Sequence, residues 1–246
     1  MGGIENLQDE FGRIERAVAS GQTDLRSLGF WKLVREVKRD PRLAAHWAEV
    51  VGRIDRAAFE ARVRPRFPVW LGNGVLMAGT LVLAAAVAVA LRLAEGIDRP
   101  RAGLAGILLI AAAGGLAVTV HAPAHWLVGR LGRMRFVAYF LDGPFRIQPG
   151  VKTDYATYLR ASPGQRAAMH AAGALATKAA PFAVFLPAYL KHASAGYELL
   201  PEWSLWAVLG IGVLQIFTDA IWSVKHSDWK KVRREVRVGR TQAAER

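Results

Sequence analysis

The sequence predicts an all-α integral membrane protein with four transmembrane helices. A small cytoplasmic helical N-terminal region and a short β-ribbon in the central cytoplasmic segment complete the expected fold. Three observations carry this reading. Four long apolar runs punctuate the chain: Phe67–Leu91, Ala102–Gly129, Ala167–Leu190 (broken only by Lys178) and Trp203–Val224 (broken only by Asp219). Each approaches or exceeds the roughly 20 residues that span a bilayer. The basic residues are also unevenly distributed between these runs. Finally, the first 60 residues are charged and helical in pattern, with no apolar stretch of the signal-peptide kind.

The charge distribution sets the orientation. Of 33 Lys and Arg, 13 precede the first run, 7 lie in Arg130–Arg166 and 8 follow Val224. The two remaining connections hold Arg92, Arg99, Arg101 and Lys191. The positive-inside rule therefore places both termini in the cytoplasm, with the protein in the plasma (inner) membrane. The lipid bilayer is the first partner expected. A net charge of +13 could suggest nucleic acid, but that would leave the apolar runs unexplained, so no nucleic-acid partner is expected. With no cysteine, any metal site must use His, Asp or Glu.

Residues 1–65 read as a helical cytoplasmic region, and 66–246 as the membrane domain with a basic tail. Asp24 is an expected N-cap for a helix carrying Leu28, Trp31, Val34 and Val37. Pro41 opens another, with Leu43, Trp47, Val50 and Ile54 at spacings of three and four. These stripes suit a helical hairpin packed on itself or on the membrane surface, with partner recognition as the alternative.

The first membrane helix, about 68–91, has no ionisable group and reads as an anchor that packs through Gly72, Gly74 and Gly79. The second, about 102–129, ends in His121-Ala122-Pro123-Ala124-His125. Two imidazoles four residues apart share a helical face, and Pro123 removes a backbone hydrogen bond and favours a kink. In the connection that follows, Phe136–Leu141 and Phe145–Gln148 flank Asp142-Gly143-Pro144 as two short strands, with Tyr155–Leu159 able to pair beside them. Such a ribbon suits an extended polypeptide partner, added as a further strand.

Ser162-Pro163-Gly164-Gln165 is a capping-box start for the third helix, about 166–190. Lys178 falls about nine residues in, too deep to snorkel comfortably, so it should face the bundle interior or a wet cavity. Its expected partner is Asp219, in the inner third of the fourth helix, about 203–224. The tail after Lys225 is strongly basic and reads as an anchor on anionic lipid headgroups.

By the direction of the helices, His121, His125 and Asp219 lie at similar depth on two parallel spans. Two neutral histidines and a carboxylate form a ligand set suited to zinc, with a fourth position left open. Over roughly residues 102–235 the chain resembles the site-2 protease family of intramembrane zinc metalloproteases. The order of features is similar: His121 and His125, the Asp142-Gly143-Pro144 ribbon, Ala172-Gly173-Ala174-Leu175-Ala176-Thr177, then Asp219. The resemblance implies zinc held by His121, His125 and Asp219. It also exposes departures. Ala122 stands where the family has its general-base Glu, Ala174 and Thr177 replace the Pro and Asn of the middle motif, and Ala220 follows the Asp.

Peptide hydrolysis on zinc needs a proton acceptor, and alanine is none. Asp142 and His170 are the nearest substitutes by topology. Three readings stay open. The chain is a non-proteolytic relative that binds membrane-protein or peptide partners, an active zinc hydrolase with an unconventional base, or a four-helix protein whose histidines only hydrogen-bond within the bundle. The first is the expectation.

Overall fold

The computed structural model describes residues 2–95, 99–142, 148–195, 197–221 and 227–244; the side chains of 2–5, 99–100, 142 and 218–221 fall outside that description. The chain divides into two compact units, one of Met1–Val69, Val128–Ala168 and Val232–Arg246, the other of Trp70–Leu127 and Met169–Lys231.

In the first unit, helices α1 (Gly2–Ala19), α2 (Phe30–Val37) and α3 (Pro41–Arg62) bury the apolar stripes against one another. Phe11, Ile14, Phe30, Val34, Trp47 and Val51 form their common core. Phe11 and Trp47 pack with ring centroids 5.1 Å apart and planes tilted by 38°. Each such buried side chain stabilises by roughly 1.5–3 kcal/mol, so the stripes pack on their own helices. Asp40 caps α3 by accepting from the Arg42 amide at 2.7 Å, with Pro41 at the first helical position. The cap expected at Asp24 is displaced. Asp24 accepts from Arg26 N in the preceding turn, and α2 starts later, after Gly29 at φ 76°. Glycine adopts that left-handed turn without strain.

The ribbon forms as β2 (Phe136–Asp142) against antiparallel β3 (Gln148–Thr153). Its turn, 143–147, lies outside the described residues, and with it most of the strand expected at Phe145–Gln148. Two corrections follow. Tyr155–Leu159 is not a strand: it lies in helix α7 (Tyr155–Arg160), because Asp154 caps that turn by accepting from Ala156 N. The third strand is instead β1 (Arg66–Phe67), paired with Phe140 and Tyr139 of β2.

Helix α8 spans Pro163–Ser194 and α10 spans Asp228–Ala244. The capping box at the start of α8 is present, with Ser162 N donating to Gln165 Oε1 at 2.9 Å and Gln165 N to Ser162 Oγ at 3.2 Å. Its first turn carries Arg166 into the first unit, where α10 brings Glu235. There Glu235 is fully buried and takes three donors: Lys38, the Tyr158 hydroxyl at 3.0 Å and Arg166 Nε at 2.7 Å. Burial alone would raise its pKa, but the two cations outweigh it and hold the carboxyl below its ordinary value. Burial pushes the Lys38 ammonium down to about 8 despite the carboxylate beside it.

The second unit is built from apolar helices: α4 (Val69–Leu93), α5 (Arg99–Thr119), α6 (His121–Leu131), α8 from Met169 onward and α9 (Glu202–Ile221). Among the described residues, three helices are long and apolar enough to cross a membrane: Val69–Leu93, Arg101–Leu131 (α5 and α6 about the turn at Val120) and Pro163–Ser194. The apolar helix Glu202–Phe217 is shorter. Ala105, Leu109, Ala113, Ala180, Val184, Leu205 and Val208 form the core between α5, α8 and α9. Small residues set the spacing, since a Cβ on Gly106 would sit 2.7 Å from that of Ser204. The opposite faces stay bare: on α4, Trp70 is 74% exposed and Leu81 71%. An apolar face this extensive is a poor surface for water.

Candidate metal centre

The centre begins with a break. Proline has no N–H and its ring crowds the carbonyl four residues back. Pro123 would face Thr119 in this way, and α5 ends at Thr119, with a turn at Val120 and a fresh helix from His121. Proline is tolerated in that first turn. His121 and His125 emerge on one face of α6, their ring centroids 4.7 Å apart and planes at 90°.

Helix α8 fixes both rings from one of its own faces, through Met169, Gly173 and Thr177 at successive steps of four. His125 Nδ1 lies 2.7 Å from the Met169 carbonyl oxygen. His121 Nδ1 lies 3.2 Å from the Gly173 carbonyl oxygen and 2.9 Å from Thr177 Oγ1. A carbonyl can only accept, so each Nδ1 must carry the hydrogen and donate it. The neutral imidazole then presents a lone pair at Nε2. Gly173 is needed for this approach, because a side chain there would run into the His125 ring.

The third group is Asp228, the first residue of α10. Its Oδ2 lies 3.1 Å from His125 Nε2 and 3.5 Å from His121 Nε2, and the two Nε2 atoms are 3.3 Å apart. Lys231 Nζ holds the other oxygen, Oδ1, at 2.8 Å, and His170 Nδ1 lies 3.8 Å from Oδ1. Burial would raise the Asp228 carboxyl, but His125 and then Lys231 hold it well below the usual carboxylate range.

With both imidazoles neutral, three lone-pair atoms converge here, an arrangement that repels itself unless a positive charge, a proton on one ring or a metal ion, sits among them. His121, His125 and Asp228 could hold a metal ion. The spacing fits. Ligands at 2.0–2.1 Å from a tetrahedral ion are about 3.3 Å from one another, against 3.1, 3.3 and 3.5 Å here. The Nδ1 contacts to main-chain carbonyls are the outer-shell support that metal-binding histidines ordinarily have.

Of the expected ligands, His121 and His125 are therefore brought together, while the side chain of Asp219 lies outside the described residues, as does that of Asp142. Asp228 was missed in the sequence. It is the single acidic residue between Asp219 and Glu235, set in a run of Lys and Arg that reads as a lipid anchor. Its interruption of that run was the available signal. Ala122 is 1% exposed and offers no polar group. His170 does stand beside the centre, its ring 6.2 Å from that of His125. Lys178 Nζ donates to the Ala174 carbonyl at 3.3 Å and lies 5.7 Å from the Trp229 ring centre. No protein-family model matches the chain, and no curated protein or solved structure is significantly similar to it.

Proposed function

We propose that this chain is a zinc-holding, four-span membrane protein on a site-2 protease-like scaffold, and that it binds a membrane-protein or peptide partner without cutting it. In this reading the zinc ligands are His121, His125 and Asp228, the last in place of the expected Asp219. The observation that carries it is the convergence of two Nε2 lone pairs and one carboxylate oxygen at tetrahedral spacing. A nitrogen and oxygen set of this kind suits zinc.

The chain's own residues have clear parts. Met169 and Gly173 fix the tautomers, and Lys231 neutralises the second Asp228 oxygen. Zinc would supply a fixed positive charge that polarises a carbonyl brought to its open position. Ala122 supports a binding role, since no proton acceptor stands where the family keeps its base. A partner strand has a place to add: β3 has β2 as its single neighbour in the described sheet. The bare apolar faces and the basic cytoplasmic segments support residence in the plasma membrane with both termini inside.

One observation favours a second reading. His170 borders Asp228, and a histidine there is chemically able to move a proton, which would make the chain an active hydrolase with an unconventional base.

Metal analysis of purified wild type and His125→Ala tests the proposal. About one zinc per chain in wild type, lost in the variant, is the expected result; a metal-free wild type would leave histidines that merely hydrogen-bond in the bundle. Incubation with a transmembrane substrate separates the two metal readings. Chelator-sensitive cleavage that disappears in His170→Ala would replace the first with the second.

A further inference from the structure

The ends of α2 and α10 and the start of α7 enclose a cavity of about 320 Å³. Arg35, Lys38 and Arg39 reach it from one side and Arg234 and Arg237 from the other; among the described residues no carboxylate lines it. The four arginines are exposed and form the rim. Beneath them Trp31 and Tyr155 meet edge to face at 5.5 Å, beside the buried Val34.

Gathering like charges around a concavity is unfavourable unless something compensates it. Elsewhere in this unit, surface arginines take carboxylates: Arg13 with Glu10 at 2.8 Å, Arg53 with Glu15 at 2.6 Å, Arg160 with Glu49 at 2.7 Å. Lys38 is committed to Glu235, and Arg234 comes within 4.0 Å of the same carboxylate. Among the described residues, Arg35, Arg39 and Arg237 have no such partner. Three free guanidiniums therefore border one cavity with an aromatic floor. Planar guanidinium forks match phosphate oxygens two at a time, and the volume lies at the small end of ligand pockets.

We infer that this cavity is a binding site for a phosphate-bearing anion, gripped by Arg35, Arg39 and Arg237 above Trp31 and Tyr155. The chemistry is shared by an anionic phospholipid headgroup and a free phosphate compound. This inference stands apart from the metal centre, and none of its residues is a proposed ligand there.

The test is calorimetric titration of the full-length protein in detergent with two probes, dihexanoyl phosphatidic acid and inorganic pyrophosphate. Saturable binding of at least one is expected. It should weaken about hundredfold in Arg35→Gln/Arg237→Gln and about tenfold in Arg39→Gln, since each lost charged hydrogen bond is worth roughly tenfold or more. A control, Arg53→Gln/Arg56→Gln, should bind as wild type does. These side chains are exposed, so unfolding midpoints should be unchanged. Binding of the lipid alone makes the ligand a headgroup, while binding of pyrophosphate, with or without the lipid, makes it a free phosphate; either supports the site. Binding of neither probe would overturn it, as would equal affinities in the cavity and control variants.

Discussion

Two polar constellations are built into this chain, and they balance their charges in opposite ways. Around Glu235, donors converge on one acceptor: two cations and a phenol face a single carboxylate. Around Asp228, acceptors converge on one another: two Nε2 lone pairs and a carboxylate oxygen meet within 3.5 Å. In the first, the carboxylate is satisfied by the chain's own donors, and the group reads as a fastener that ties α10 to Lys38, Tyr158 and Arg166. The second is completed by an added positive charge, a proton on one imidazole or a metal ion. A burial pattern alone would not separate them; the direction of the hydrogen bonds does.

Removing Glu235 should give the largest effect. Glu235→Ala leaves Lys38 and Arg166 as uncompensated buried cations, and such breakage costs about 3–5 kcal/mol, measurable as a lowered denaturant or thermal midpoint of the first unit. The pH dependence has a definite sign. The Glu235 pKa is lowered from 4.5, so its stabilisation is fully present above about pH 4.5 and is lost as pH falls through the folded value. Asp55, raised by burial beside Lys152, runs the other way and gains as pH falls. The difference between wild type and Glu235→Gln isolates the Glu235 contribution. An unchanged slope in Glu235→Gln would show that the network does not fasten the fold.

The second constellation should respond in metal affinity more than in stability. Asp228→Asn removes a ligand and should weaken zinc binding about hundredfold or more, beyond what outer-shell changes cost; competition with a chromophoric chelator measures this. Asp219→Asn is the companion variant. Retained affinity assigns the third position to Asp228, and a matching loss would bring Asp219 into the shell. A smaller effect is expected from Gly173→Ala. The added methyl displaces the His125 ring, so affinity should fall about 10- to 100-fold while the protein still folds. Unchanged affinity there would mean that α8 does not set the ring position.

Much of this was legible in sequence because it depends on local chemistry. The apolar runs gave α4, α8 and α9 to within a few residues, while the second run divides at Val120 into α5 and α6; Ser162 with Gln165 gave the start of α8, and Phe136–Leu141 gave β2. What was not legible is non-local. Arg66–Phe67 is too short to show a strand pattern and exists through its pairing with Tyr139 and Phe140. Tyr155–Leu159 is the exception, because the Asp154 cap that turns it into helix is a local signal in the residue before it. Asp228 was hidden by composition, one carboxylate among cations. Its role comes from meeting a histidine 103 positions away. The pair at His121 and His125 was visible as spacing, but which nitrogen of each ring is free follows only from the carbonyls of α8.

X-ray absorption at the zinc edge of the purified protein is the most direct measurement of the central claim. Two imidazole nitrogens at about 2.0–2.1 Å and a carboxylate oxygen at about 2.0–2.2 Å are expected, with the imidazole signature lost in His125→Ala. A shell of oxygen atoms alone, or a spectrum unaltered by that substitution, would contradict a zinc centre at His121, His125 and Asp228.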